Sequence, residues 1–114
     1  MAGVALTAAE GFTAEGSEDE RGYSLVMRGD LDLAYKSMAE EALMAAELAA
    51  GERMLILDLR QVEYCGSVGL KLLIAAQQRS IQAGRPLLVL PSRAVRRLFE
   101  VTGVTDDFDL GETG

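Results

Sequence analysis

The residues with the clearest chemical potential in this sequence surround a serine that lies between two glycines. Ser67 stands between Gly66 and Gly69, after an apolar run at 54–59 and before an amphipathic run at 70–81. This order predicts a strand-to-helix junction, where unpaired backbone N–H groups favour an anion. A hydroxyl at such a junction can cap the helix, act as a nucleophile or accept a phosphate. Local sequence alone favours the cap.

Two aspartates, Asp30 and Asp32, form a second candidate site. Paired carboxylates can hold a metal ion or carry out acid–base catalysis. The chain contains no histidine, and the pair has no obvious third oxygen ligand beside it. The sequence therefore favours a turn and a helix start at these residues. We expect no metal ion and no other cofactor.

Cys65 and a short basic cluster complete the candidates. A thiol beside a helix start can be acidified, but Cys65 closes an apolar run, which favours a buried and unreactive thiol. Arg93, Arg96 and Arg97 lie on one predicted short helix, and a solvated face is favoured there over an anion site. No nucleophile–base pair is available, which argues against an enzyme.

Composition narrows the class of protein. With 114 residues, 49% of them hydrophobic and 25% charged, the chain has the length of one domain and enough apolar residues for a core. A single cysteine excludes an internal disulfide, which fits a reducing cytoplasm. The net charge of −7 argues against nucleic acid as a partner. No apolar run reaches membrane-spanning length and no signal peptide is evident, so we expect a cytoplasmic protein without membrane insertion.

The first half of the chain predicts strands followed by a helix. Residues 12–15 are the preferred first strand, with 4–7 as the competitor, and 16–22 form an acidic loop. Residues 23–28 predict a strand that ends at Gly29 and Asp30. A helix follows up to Gly51. Its inner face is expected to hold a set of alanines, one methionine and two leucines: Ala34, Met38, Ala42, Leu43, Ala45, Ala46, Leu48 and Ala49.

The second half predicts two strands that alternate with helices. Residues 54–59 are apolar on both faces, which suits a central strand with helices on each side. The helix after Ser67 should bury Leu70, Leu73, Ile74 and Ile81 and end at Gly84. Residues 87–90 predict a further strand. A helix capped by Ser92 then runs to Gly103, and 108–110 form a short edge strand.

These elements predict an α/β fold with a small mixed β-sheet and helices packed on it. The whole chain is expected to form one domain. Residues 1–22 contribute an N-terminal strand and the acidic loop, residues 23–110 form the core, and residues 111–114 form a loose tail.

Four segments together resemble one family. They are Gly-Asp-Leu-Asp at 29–32, Leu-Asp-Leu through Val62 at 57–62, Ser-Val-Gly-Leu at 67–70, and the segment at 91–103 that begins Pro-Ser-Arg and ends Thr-Gly. Their order and spacing resemble STAS domains, in particular the single-domain bacterial anti-sigma factor antagonists. The resemblance covers roughly residues 23–110.

The resemblance implies a switch rather than an enzyme. In that family the serine at the start of this helix is phosphorylated by the partner, an anti-sigma factor that is also a serine kinase of the GHKL fold. Ser67 occupies that place here. The unmodified antagonist binds the anti-sigma factor and so frees the sigma factor, phosphorylation breaks the complex, and a serine phosphatase restores it.

The partner surface implied by the resemblance comprises Asp30 and Asp32, together with four residues at the junction: Gly66, Ser67, Val68 and Gly69. Gly69 has no side chain, so a partner loop can approach its backbone. Family members usually carry an aspartate at the position of Gly66 and a small hydroxyl residue at that of Val68. These departures favour the alternative, a constitutive STAS interaction module of a lipid-transport or stress-signalling assembly in which Ser67 is never modified.

Overall fold

A computed structural model of the chain describes residues 5–112. Within that range the strands and helices alternate after an N-terminal hairpin. In chain order the elements are β1 (Ala5–Ala9), β2 (Phe12–Glu18), β3 (Gly22–Leu31), a 3₁₀ turn (Leu33–Tyr35), α1 (Lys36–Ala50), β4 (Met54–Cys65), α2 (Ser67–Ala83), β5 (Leu87–Pro91), α3 (Arg93–Thr102), a second 3₁₀ turn (Thr105–Asp107) and β6 (Asp109–Leu110). None of the helices in this described range is long and apolar enough to cross a membrane.

The six strands of the described residues form one mixed sheet in the order β1-β2-β3-β4-β5-β6. The first three strands pair antiparallel, and β3 to β6 pair parallel. Parallel neighbours require crossover connections, which the three helices supply. The predicted α/β fold, with a small mixed sheet and helices packed on it, is confirmed.

All the helices lie on one face, so the expectation of helices on both sides of the central strand is wrong. Strands β3 to β6 follow one another in a single direction, and right-handed crossovers then place every connecting helix on the same side. On β4, Leu55, Leu57 and Leu59 join the core beneath the helices. Ile56 points to the opposite face, beside Asp58, and is still only 1% exposed. Neighbouring side chains on that face, including Leu90 of β5, therefore bury Ile56 without a covering helix.

The N-terminal region forms a hairpin in which both candidate strands exist. β1 pairs with β2, from Ala5 opposite Gly16 to Ala9 opposite Phe12, so the preferred segment 12–15 and residues 5–7 of its competitor both form strands. Of these candidates, Val4 lies outside the described residues. The predicted acidic loop at 16–22 is confirmed only for residues 19–21, because β2 continues to Glu18, pairs with β3 there, and β3 begins at Gly22. Strand pairing overrides the local preference of glycine and serine for loops.

β3 continues three residues beyond its predicted end. Gly29 does not close the strand; it has a φ of +95° and lies at an irregularity in the β3–β4 register. A Cβ on Gly29 would lie 2.1 Å from the carbonyl oxygen of Gly11, so only glycine allows this close approach. The strand then runs to Leu31 and carries Asp30 within it.

The inner face of α1 is rotated from the predicted one. Ala42, Leu43 and Ala46 are buried as expected, but Leu48 is 86% exposed and Glu47 is only 8% exposed. Glu47 is buried because Arg79 of α2 donates to both of its carboxylate oxygens at 2.7 Å. A paired charge can lie inside where an unpaired one cannot.

The ends of α2 and α3 follow the predictions closely. Gly84 and Gly103 end the two helices in the left-handed conformation, and the Ser92 hydroxyl caps α3 by accepting from the Val95 N–H. Leu73 is buried as predicted, but Ile81 is 68% exposed and the prediction for it is wrong. Ile81 lies near the end of α2, beyond its buried face.

β4 is the longest strand and extends past one of its neighbours. Its pairing with β5 ends at the register of Leu59 with Pro91, whereas its pairing with β3 continues to that of Leu31 with Cys65. Residues 60–65 of β4 therefore have β3 as their strand partner. At the other end of the chain, the Gly111 N–H donates to Val89 at 2.8 Å, which attaches the start of the predicted loose tail to β5. Residues 113–114 of that tail lie outside the described range.

Candidate functional site

Ser67 is the first residue of α2 and is exposed to solvent. β4 ends at Cys65, and Gly66 takes the N-cap position with an extended backbone (φ −94°, ψ −171°). Among the described residues, no side chain caps this helix. The interpretation of Ser67 as a plain N-cap is therefore wrong, because Gly66 occupies that position. The Ser67 hydroxyl stands at the N-terminus of α2, where backbone N–H groups favour negative charge.

Gly69 brings α2 against the end of β3. It is buried, and a Cβ on it would lie 2.7 Å from both the Cys65 sulfur and the Leu31 carbonyl oxygen. The Gly66 N–H donates to the same Leu31 oxygen at 3.1 Å. We expected a partner loop to approach the backbone at Gly69, but β3 fills that space. The glycine fixes the direction in which α2 leaves the sheet, and so positions Ser67.

A groove of about 330 Å³ runs past the Ser67 side chain. The connection after β3 forms one wall, and the end of β4 with the first turn of α2 forms the other. Its lining residues are Asp32, Leu33, Ala34, Tyr64, Gly66, Ser67 and Val68. The structure therefore brings together four of the residues chosen from the sequence, Asp32, Gly66, Ser67 and Val68.

Asp30 and Asp32 are separated by the end of β3. Asp32 lies in the groove, where its Oδ1 accepts a hydrogen bond from the Ala34 N–H at 3.1 Å and caps the 3₁₀ turn. The predicted helix-start role of Asp32 is confirmed. Asp30 lies in β3 and lines a different depression of about 560 Å³, together with Arg28 and Gln61. Within the described range, no three potential metal-ligating side chains come together.

Cys65 is buried beside the site and is not activated. Burial raises the pKa of its thiol to about 11, and its sulfur lies 3.8 Å from the Gly66 carbonyl oxygen. The thiol therefore stays protonated near neutral pH, and the interpretation of Cys65 as a buried, inert residue is confirmed. The arginine cluster of α3, with Arg93 and Arg97 exposed, is not part of the Ser67 groove.

Two groove residues, Leu33 and Tyr64, were not recognised from the sequence. Leu33 is 73% exposed and Tyr64 is 54% exposed. Tyr64 lies two residues before Gly66, a spacing that places both on the same side of an extended chain. That spacing was a usable signal for Tyr64. For Leu33 the signal was weak, because an isolated apolar residue at the surface is common.

Comparison with known proteins supports one family. The sequence profile described as the STAS domain matches residues 15–113. The chain is 37% identical over 75 residues to BtrV of Bordetella bronchiseptica, which is provisionally named an anti-sigma factor antagonist. The alignment covers 64% of each protein, so the chain matches less than two thirds of that relative's length.

Two further similarities involve mycobacterial proteins. The chain is 33% identical over 89 residues to RsfB of Mycobacterium tuberculosis, an anti-sigma-F factor antagonist, covering 78% of this chain and 72% of RsfB. The crystal structure of an anti-sigma factor antagonist from Mycobacterium paratuberculosis superposes with a TM-score of 0.80 at 28% identity, covering 95% of this chain and 92% of that one. All three of these relatives are named as antagonists of an anti-sigma factor.

Proposed function

This chain belongs to the STAS domain family, and from that membership we propose that it is a bacterial anti-sigma factor antagonist switched by phosphorylation of Ser67. In its unmodified form it binds an anti-sigma factor and so frees a sigma factor for transcription. The observation that carries the proposal is the exposed Ser67 side chain at the first position of α2, beside a groove that a partner can enter.

The proposed partner is both target and modifying enzyme, a serine kinase of the GHKL fold. The γ-phosphate of ATP is transferred to the Ser67 oxygen, the bond to ADP breaks, and the hydroxyl proton passes to a base on the kinase. A serine phosphatase then hydrolyses the phosphoserine with water and returns the free hydroxyl with inorganic phosphate. We place this cycle in the cytoplasm, where ATP and the transcription machinery are present.

The expected effect of the phosphate falls on the interface more than on the fold. A phosphoserine adds about −1.5 to −2 charges at neutral pH. The N-terminus of α2 tolerates them, since its N–H groups and dipole favour an anion. A partner packed into the groove meets this charge directly. A loss of about 3–4 kcal/mol would lower its affinity by roughly 100- to 1,000-fold.

The proposed partner surface is centred on the groove. Asp32, Gly66, Ser67 and Val68 contribute to it from both walls. Asp30 contributes at its margin, from the neighbouring depression on β3. Gly69 contributes indirectly, because its packing against Leu31 fixes the start of α2.

One observation favours a second function, that of a constitutive interaction module. Gly66 stands where the family resemblance leads us to expect an aspartate, and Tyr64 lies over it. If no kinase recognises this altered junction, the domain binds its partner without a switch. A STAS subunit of a lipid-transport or stress-signalling assembly would act in this way.

The test is a phosphorylation and binding assay. The protein is incubated with ATP and a panel of purified GHKL serine kinases from its source organism, together with the anti-sigma-F factor of M. tuberculosis. Phosphate is then mapped by mass spectrometry. We expect one phosphate, on Ser67, and none on a Ser67→Ala variant. A kinase that binds the protein tightly but leaves Ser67 unmodified would support the constitutive module and overturn the switch.

A further inference from the structure

Large apolar side chains on the surface of this domain are few. Within the described residues they are Leu6, Leu33, Met44, Leu48, Tyr64, Ile81 and Val101. Two of them, Leu33 and Tyr64, line the groove that contains Ser67, one on each wall. Leu33 begins the 3₁₀ turn after β3, and Tyr64 lies one residue before the end of β4. Two separate elements thus each present an apolar side chain at the proposed switch.

Tyr64 depends on the glycine beneath it. A Cβ on Gly66 would lie 2.9 Å from the Tyr64 hydroxyl oxygen and 3.3 and 3.4 Å from its Cε2 and Cζ atoms. The phenol ring therefore occupies the space that any side chain at position 66 would need. The position of the Tyr64 ring therefore depends on the absence of a side chain at Gly66.

The groove carries little charge. Of its seven lining residues only Asp32 carries a formal charge, and one of its carboxylate oxygens already accepts the Ala34 N–H. Charged partner groups are recognised by opposite charges, whereas apolar side chains are recognised by apolar walls that exclude water. The chemistry of these walls therefore fits an uncharged apolar side chain.

We propose that Leu33 and Tyr64 are the specificity-determining residues of the partner interface and together seat an apolar side chain of the anti-sigma factor. This inference rests on the proposed antagonist function and names the chemistry by which the partner is chosen. Gly66 is required because a side chain there displaces the Tyr64 ring from the wall of the groove. The selected partner presents an aliphatic or aromatic residue opposite Ser67.

This arrangement also increases the loss of partner affinity that phosphorylation of Ser67 causes. A phosphate on Ser67 places a dianion beside the seated apolar side chain, which cannot replace the water that the phosphate loses. The same contact that gives affinity to the unmodified protein then opposes binding of the modified one.

The test measures affinity for the anti-sigma factor that the kinase panel identifies, by calorimetric titration. The groove variants are Leu33→Ala, Tyr64→Ala, Tyr64→Phe, Gly66→Asp and Ser67→Asp. Val101→Ala, which truncates a side chain 72% exposed on α3, is the matched surface control. Melting temperatures are recorded for every variant, so that a loss of affinity is separated from a loss of folding.

We expect Leu33→Ala and Tyr64→Ala each to weaken binding by about 10- to 30-fold, as truncation of an interface hot spot does. Gly66→Asp should have an effect of similar size, whereas Tyr64→Phe and Val101→Ala should remain within about twofold of the wild type. If Leu33→Ala and Tyr64→Ala bind as the wild type does while Ser67→Asp does not, this inference is overturned and the antagonist function survives. If the wild type binds no member of the panel, both are overturned.

Discussion

The carboxylate of Glu47 on α1 accepts two hydrogen bonds from the guanidinium of Arg79 on α2, each 2.7 Å long. The side chains of Glu47 and Arg85 are 9% and 8% exposed. The Arg85 guanidinium approaches the Glu47 carboxylate to 3.9 Å. One acidic group therefore neutralises two arginines at the contact between the helices. It also couples α2, the helix that presents Ser67, to α1.

Replacing Glu47 should destabilise the domain strongly. Glu47→Ala leaves Arg85 buried without its counter-charge, and removal of one partner from a buried pair lowers the free energy of unfolding by about 3 kcal/mol. Urea unfolding measures this change. The matched control is Glu18→Ala, which breaks the exposed pair with Arg53 and should change the free energy of unfolding by less than about 0.5 kcal/mol. Equal losses in the two variants would contradict the role given to Glu47.

An acidic residue at position 67 should not harm the fold. In Ser67→Asp a carboxylate stands at the N-terminus of α2, where it contributes about 0.3–1 kcal/mol of stability. Ser67→Lys reverses the charge at the same position and should lower stability by a similar amount. Thermal unfolding of the two variants gives the comparison. A Ser67→Asp protein that melts well below the Ser67→Lys protein would show that the helix terminus does not accept negative charge.

The Cys65 thiol should react slowly in the folded protein. With its pKa raised to about 11 by burial, thiolate at pH 8 is roughly 100-fold scarcer than for an ordinary cysteine. Alkylation by iodoacetamide should be slow at pH 8, accelerate as the pH approaches 11, and become fast in urea. The raised pKa also makes the free energy of unfolding depend on pH. The stabilising contribution of the buried, protonated thiol is present below the unfolded-state pKa and is lost as the pH rises towards 11. Fast alkylation of the folded protein at pH 8 would contradict the buried position.

Asp58 should make stability sensitive to acid. The Arg60 side chain donates to both oxygens of the Asp58 carboxylate, at 2.9 and 2.8 Å, and holds its pKa below the usual value. A lowered pKa contributes stability that is present above the unfolded-state pKa, about 3.9. That stability is lost as the pH falls through the folded-state pKa.

The check on Asp58 is to unfold the wild type and Asp58→Asn at several acidic pH values. The stability difference between them should shrink as the pH falls, and Arg60→Gln should remove most of that pH dependence. A difference that stays constant down to pH 2 would show that the Arg60 contact does not hold the carboxylate in its ionised form.

Local signals in the sequence were sufficient for the ends of the helices and for the junction that carries Ser67. Gly84, Gly103 and Ser92 act through hydrogen bonds within a few residues of themselves, so their roles can be inferred from neighbouring positions. The parallel crossovers followed from the alternation of apolar runs with amphipathic ones.

The remaining features depend on contacts between distant parts of the chain. Glu47 is inside because Arg79, 32 residues later, neutralises it, and no periodicity of α1 alone reveals that partner. β1 and β2 both form because each has a neighbour strand. Ser67 does not cap α2, since the preceding glycine fits the extended N-cap conformation and Tyr64 takes the space above it.

The unequal lengths of β4 and β5 leave residues 60–65, which lead into the Ser67 junction, on a part of β4 that pairs with β3 and not with β5. Substitutions in residues 60–65 require one neighbouring strand to adjust, whereas those before Leu59 require two. Side chains at 60–65, among them Tyr64 in the Ser67 groove, can therefore change with less disturbance of the sheet than those at 55–59.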